Sequence, residues 1–101
     1  MIIYCDIDGV LCTQDKENPS KYYDAKPIEK NIKKINKLYD MGNTIILWTA
    51  RGSVSKIDWY EFTYEQMKDF GVKFHDLRTN KPFFDLFIDD RASDIIPEIK
   101  T

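Results

Sequence analysis

Ile2-Ile3-Tyr4-Cys5-Asp6-Ile7-Asp8-Gly9-Val10 is the stretch that decides the fold. A short apolar run ends in two carboxylates spaced i, i+2, and a glycine follows at once. An apolar run of this length with turn residues behind it predicts a buried strand of a parallel sheet. Asp6 and Asp8 then stand where the strand opens into a loop, at its carboxyl end. Open α/β sheets build their ligand sites at that edge. Two acids there repel each other unless a cation or a shared proton settles the charge, and hard oxygen ligands of this kind suit Mg²⁺. The plain alternative is that both aspartates only solvate a strand end.

Further along, the pattern recurs. Thr44-Ile45-Ile46-Leu47-Trp48 is the clearest buried strand of the chain and runs into Thr49-Ala50-Arg51-Gly52. A strand-end hydroxyl followed by a small residue and glycine can present Oγ and backbone N–H groups to an anion. A helix expected from Ser53 or Ser55 would aim its N-terminal dipole the same way. Thr49 taken alone reads equally well as a β-branched strand residue. A later apolar run, Phe83-Phe84-Asp85-Leu86-Phe87-Ile88, ends in Asp89-Asp90-Arg91. The turn Thr79-Asn80-Lys81-Pro82 puts one lysine just ahead of that run.

The intervening segments read as helices. Pro27 suits a first turn and Gly42 an end, with Ile28, Ile32, Ile35, Leu38 and Tyr39 on one face. Lys30, Lys33, Lys34 and Lys37 fall on the other side, as a solvated face. The second helix would carry Ile57, Tyr60, Tyr64, Met67 and Phe70 as its core stripe and close at Gly71. Val72-Lys73-Phe74-His75 reads as a short edge strand. His75, the only histidine, is expected at the surface or in packing, with catalysis as the alternative. Ala92 to Ile96 reads as a helical turn or two before Pro97. The order β-α-β-α-β-(loop)-β implies an α/β fold with a short parallel sheet and helices packed on it, joined by right-handed crossovers. Asp6/Asp8, Thr49, Lys81 and Asp89/Asp90 would then share one carboxyl edge. Four carboxylates can bind a divalent cation, while a hydroxyl, a lysine and backbone amides can take an anion. That inventory suits phosphoryl transfer, and aspartate is a known nucleophile.

Bulk properties narrow the classes. The 101 residues make one domain, with 43% hydrophobic and 32% charged residues, the balance of an ordinary globular protein. A formal charge of −2 gives no footprint for nucleic acid or an anionic membrane. No run is long enough to span a bilayer, and the chain opens in strand residues, so a cytoplasmic location is expected. Cys5 and Cys12 are too few for a disulfide framework. A cysteine-based phosphatase would need arginine at the sixth position after its cysteine, where Leu11 and Asn18 stand. No G-x-x-x-x-G-K-[ST] loop is present.

Asp6-x-Asp8-Gly9, Thr49 after its apolar run, Lys81-Pro82 and Ile88-Asp89-Asp90 resemble, in order, the four motifs of haloacid dehalogenase-like hydrolases. Leu47-Trp48-Thr49-Ala50-Arg51-Gly52 and Asp85-Leu86-Phe87-Ile88-Asp89-Asp90 look like the small capless members. Some of those are associated with capsule or surface-polysaccharide synthesis. The resemblance implies a small Rossmann-like three-layer core over residues 1–101, with a short 11–26 loop in place of a cap. It also implies a Mg²⁺-dependent phosphatase acting on a small phosphorylated metabolite. Asp6 would be nucleophile and metal ligand, and Asp8 the general acid and then base, with its carbonyl on the metal. Thr49 and the Ala50 amide would hold the phosphoryl group, and Lys81 would neutralise it. Asp89 and Asp90 would serve the metal, and Arg51 would contact substrate or else pair with a surface acid. Without a cap, selectivity would come from the 11–26 loop, from a neighbouring subunit of a homo-oligomer, or from an open site. Two other classes compete: a phosphoacceptor module of the receiver type, and a phosphate- or metal-binding relative without turnover.

Overall fold

Three strands form one parallel sheet in the order β1 (Ile2–Cys5), β2 (Thr44–Trp48), β3 (Asp76–Arg78). The computed structural model describes residues 1–15, 17, 21–52 and 56–79. The expected strand at 83–88 and the turn at 92–96 lie outside them. The register sets Leu47 of the central strand beside Cys5 on one side and Leu77 on the other. These three, with Ile45, point to one face of the sheet. There they join Ile32 and Ile35 of α1 (Glu29–Asp40) and Met67 of α2 (Tyr60–Asp69) in a single buried cluster. Both helices thus cover the same face, and the described residues make two layers. The second helical layer of the three-layer expectation has no counterpart among them.

β1 departs from the expected fully buried strand. Cys5 is buried, but Ile2 and Tyr4 are 66% and 49% exposed. Side chains of a strand alternate between faces, and these two point away from the helices. Tyr4 sits edge-on to Trp48, and the Arg78 guanidinium lies over its ring and donates to its hydroxyl.

α1 follows the sequence reading closely: Ile32 and Ile35 are buried, with Leu38 and Tyr39 packed beside them. The helix begins two residues after Pro27 rather than on it, and the Gly42 N–H closes onto the Tyr39 carbonyl. α2 starts later than expected. Lys56 takes a φ of 63°, a left-handed conformation that a helix cannot pass through, and residues 56–59 are not helical. Ile57 is consequently half-exposed outside the helix, and the buried residues of α2 are Thr63, Gln66 and Met67.

The third strand is also displaced. After α2, the Val72 N–H returns to the Met67 carbonyl, and the Asn36 side chain brackets the turn, donating to the Gly71 carbonyl and accepting from the Lys73 N–H. Val72 and Lys73 are therefore used in ending the helix, and pairing with β2 begins with His75, whose N–H donates to the Ile45 carbonyl. Its Nδ1 accepts the Ile45 N–H at 3.0 Å, and the ring stacks on Tyr39 at 4.5 Å. His75 is a packing residue. Among the described residues no helix is long and apolar enough to cross a membrane.

Candidate active site

β1 ends at Cys5 and β2 at Trp48, and with Cys5 opposite Leu47 the register continues to set Asp6 level with Trp48 and Ile7 with Thr49. The first acid and the strand-end hydroxyl therefore emerge from adjacent strands, one step apart, at the same edge. Asp6 Oδ1 accepts the N–H of Ile7 at 2.8 Å, which turns the carboxylate toward the loop. The loop itself is tight. The Ile7 carbonyl accepts from the N–H groups of Val10, Leu11 and Cys12, and the Gly9 N–H donates to the Cys12 carbonyl at 2.8 Å.

The described ends of the 11–26 segment meet each other. Cys12 pairs with Pro27 in an antiparallel bridge, the Thr13 N–H donates to the Lys26 carbonyl, and the Ile28 N–H donates to that of Leu11. A short 3₁₀ turn, Tyr22–Asp24, closes it. Tyr22 and Tyr23 pack edge-on against Trp59, and Tyr23 also meets Phe62. The segment is thereby anchored on α2 and its approach.

Thr49 is buried, and its Oγ1 accepts the Arg51 N–H at 3.1 Å, which leaves the hydroxyl proton to be donated. Among the described residues no acceptor meets the Ala50 N–H. Gly52 follows at a φ of +83°, and its carbonyl accepts the Lys56 N–H.

Arg51 is the unexpected part. Its side chain is fully buried and turns inward to Asp8: Nε donates to Oδ2 at 3.0 Å and Nη2 to Oδ1 at 2.8 Å. Nη1 donates to Thr63 Oγ1 at 3.2 Å and Gln66 Oε1 at 2.7 Å, and Nη2 also approaches Cys12 Sγ at 3.5 Å. The Tyr22 ring lies 4.4 Å from the guanidinium carbon. The expected contact with substrate therefore has no donor left to make it, and the acid partner is Asp8 rather than a surface carboxylate. The sequence reading missed Thr63 and Gln66. The signal was there: two polar residues spaced i, i+3 on the same helix face as Met67 imply a buried polar partner.

Burial pushes the Cys12 thiol up to about 12, the Asp8 carboxylate adds to the shift, and Arg51 opposes it. Burial likewise raises the Tyr22 hydroxyl, again with Asp8 adding and Arg51 opposing. Oxygen donors at the strand end, the Asp6 carboxylate and the Asp8 peptide carbonyl, have the hard chemistry that fits Mg²⁺. Among the described residues no group of three or more His, Cys, Asp or Glu could hold a metal. Lys81, Asp89 and Asp90, expected to complete the site, lie outside the described residues.

No family model and no curated protein matches the chain. A crystal structure of an MCSG target from Vibrio cholerae is similar to it, with a TM-score of 0.79 over 91% of this chain and 81% of that one, at 23% identity. The fold is shared. It is a small α/β domain with a parallel sheet, consistent with a Rossmann-like architecture.

Proposed function

We propose that this chain is a Mg²⁺-dependent phosphomonoesterase of the capless haloacid dehalogenase-like kind, working through an aspartyl-phosphate on Asp6. The observation that carries the reading is the pairing at the sheet edge. A strand-end carboxylate stands one register step from a hydroxyl, with the Ala50 amide next to it, on the adjoining parallel strand. The donors suit phosphoryl oxygens and the carboxylate suits in-line attack on phosphorus, a chemistry in which positioning and charge neutralisation do most of the catalysis. Thr49 Oγ1–H and the Ala50 N–H would hold the phosphoryl oxygens, with Lys81 balancing their charge. Asp8 would protonate the leaving oxygen and then take a proton from the water that cleaves the phosphoenzyme. Mg²⁺, held by Asp6, the Asp8 carbonyl, Asp89 and Asp90, would supply positive charge against the developing phosphoryl charge. A sugar phosphate is the first substrate class to screen.

The test is hydrolysis of a generic aryl phosphate by wild type and Asp6→Asn, with Mg²⁺ and with chelator. Metal-dependent turnover that the substitution abolishes supports the reading, whereas turnover surviving in Asp6→Asn sinks it. One observation favours a second reading. Both Asp8 oxygens are engaged by Arg51, so a water would have to reach one of the lone pairs that the fork leaves free, and a phosphoenzyme that no such water reached would persist. Asp6 would then be a phosphoacceptor with a long-lived phosphate, as in a signalling module. A label from acetyl phosphate lasting many minutes, without turnover, would select it.

A further inference from the structure

We propose that Arg51 is the positioning residue of this site, holding the Asp8 carboxylate in one orientation while Thr63 and Gln66 of α2 hold the guanidinium. The inference rests on the reading of Asp8 as the proton-transfer group.

A guanidinium has five N–H donors in a rigid fork and no acceptor. Here all five are engaged: two with the Asp8 oxygens, two with Thr63 and Gln66, and one with Cys12. Stability alone is a weak reason for this arrangement, because the desolvation of a buried ion pair offsets much of its attraction. What a bidentate pair does supply is geometry: two parallel bonds fix the plane of the carboxylate. Asp8 follows a strand end in a turn, where a lone carboxylate would rotate about its side-chain bonds. With both oxygens in the fork it has one pose.

The support continues outward. Gln66 accepts from Arg51 through Oε1 and donates through Nε2 to the Tyr22 carbonyl at 2.8 Å. Reversing the amide would set N–H against N–H at one end and O against O at the other, so its orientation is fixed. Tyr22 in turn lays its ring against the guanidinium. The 3₁₀ turn at the edge of the site is thus linked to Asp8 through two side chains.

The experiment separates positioning from folding. Arg51→Lys keeps the charge and loses the fork. The expected result is kcat lower by about 10- to 100-fold, the scale of a misplaced catalytic group, with KM within about twofold and Asp8→Asn/Arg51→Lys no slower than Asp8→Asn alone. An unchanged kcat, or losses that multiply, would overturn the proposal. Should Arg51→Lys fail to fold, the wild type still decides. Its Arg51 Nε–H resonance should be resolved and protected from exchange, and Asp8→Asn should shift it and speed exchange at least about tenfold. A signal that Asp8→Asn leaves unmoved refutes the pairing. A wild type with that signal but without turnover would instead sink the phosphatase reading and leave the Asp8 clamp standing.

Discussion

Replacing Gly52 by alanine probes the turn that brings Arg51 inward. At a φ of +83° an L-residue pays about 1–2 kcal/mol for the left-handed conformation. The added Cβ would also fall inside the van der Waals envelope of the Ile57 carbonyl oxygen, with the Ile57 carbonyl carbon and Trp59 Cδ1 both at 3.4 Å. A backbone oxygen cannot rotate aside, so the 56–59 segment has to shift, and overpacking of this sort costs about 1–3 kcal/mol. Gly42 supplies the control. Its φ is +96°, but among the described residues nothing lies within 4 Å of the place its methyl would take, so Gly42→Ala carries the conformational cost alone. Chemical denaturation of both variants should find Gly52→Ala the less stable by about 1–3 kcal/mol. That gap corresponds to a Tm lower by roughly 4–8 °C for each kcal/mol in a domain this small. The near-UV signal should change only in Gly52→Ala, because Trp59 carries the contact to Tyr22 and Tyr23. Equal destabilisation of the two variants would refute the close approach.

Removing Arg51 altogether, as Arg51→Ala, leaves the Asp8 carboxylate, Thr63 and Gln66 without their buried partner. Stability should fall by about 3–5 kcal/mol in urea titrations, and a loss below about 1 kcal/mol would contradict the buried pair. His75→Ala takes the acceptor from the buried Ile45 N–H and should cost about 1–3 kcal/mol, with kcat close to that of wild type. Asp40→Ala, which breaks an exposed pair with Lys73, should change stability by no more than about 1 kcal/mol. Cys12, with its thiol pushed up to about 12 against an ordinary 9.0, should alkylate at pH 8 roughly a thousandfold more slowly than an exposed thiol, because the thiolate is the reactive form. The protonated thiol is favoured by the fold, so its contribution to stability is complete below pH 9 and lost as pH rises toward 12. Cys12→Ala should flatten the stability profile in that window.

The parts of the chain legible in the sequence were those with continuous apolar signals and clear punctuation. β2 is an unbroken apolar run, and α1 has its face at helical spacing and ends at Gly42. The edge that gathers Asp6 and Thr49 followed from the alternation alone. Elements governed by single backbone or side-chain contacts were not legible. Serines at 53 and 55 resemble helix caps, but the left-handed φ of Lys56 stops a helix from running through that residue, and α2 starts at Tyr60. Val72 and Phe74 have strand chemistry, but the bracket made by Asn36 holds that segment to the helix end, and β3 starts at Asp76. The partner of Arg51 could not be read from local pattern, because Asp8 lies more than forty residues away in the chain.

The parallel sheet also sets the order in which the chain can fold. Ile2 pairs with Thr44 and Ile46 with Asp76, so no described strand reaches a neighbour without closing a loop of about thirty residues or more, at an entropic cost met before any ladder bond forms. Such topologies fold slowly for their size. During synthesis β1 emerges first and waits for β2, and Ile45-Ile46-Leu47 then waits for β3, a short β-prone apolar segment of the sort that aggregates while unpaired. Until then α1 is the local structure best able to form, and its apolar face is the surface on which the first strand pair can collapse.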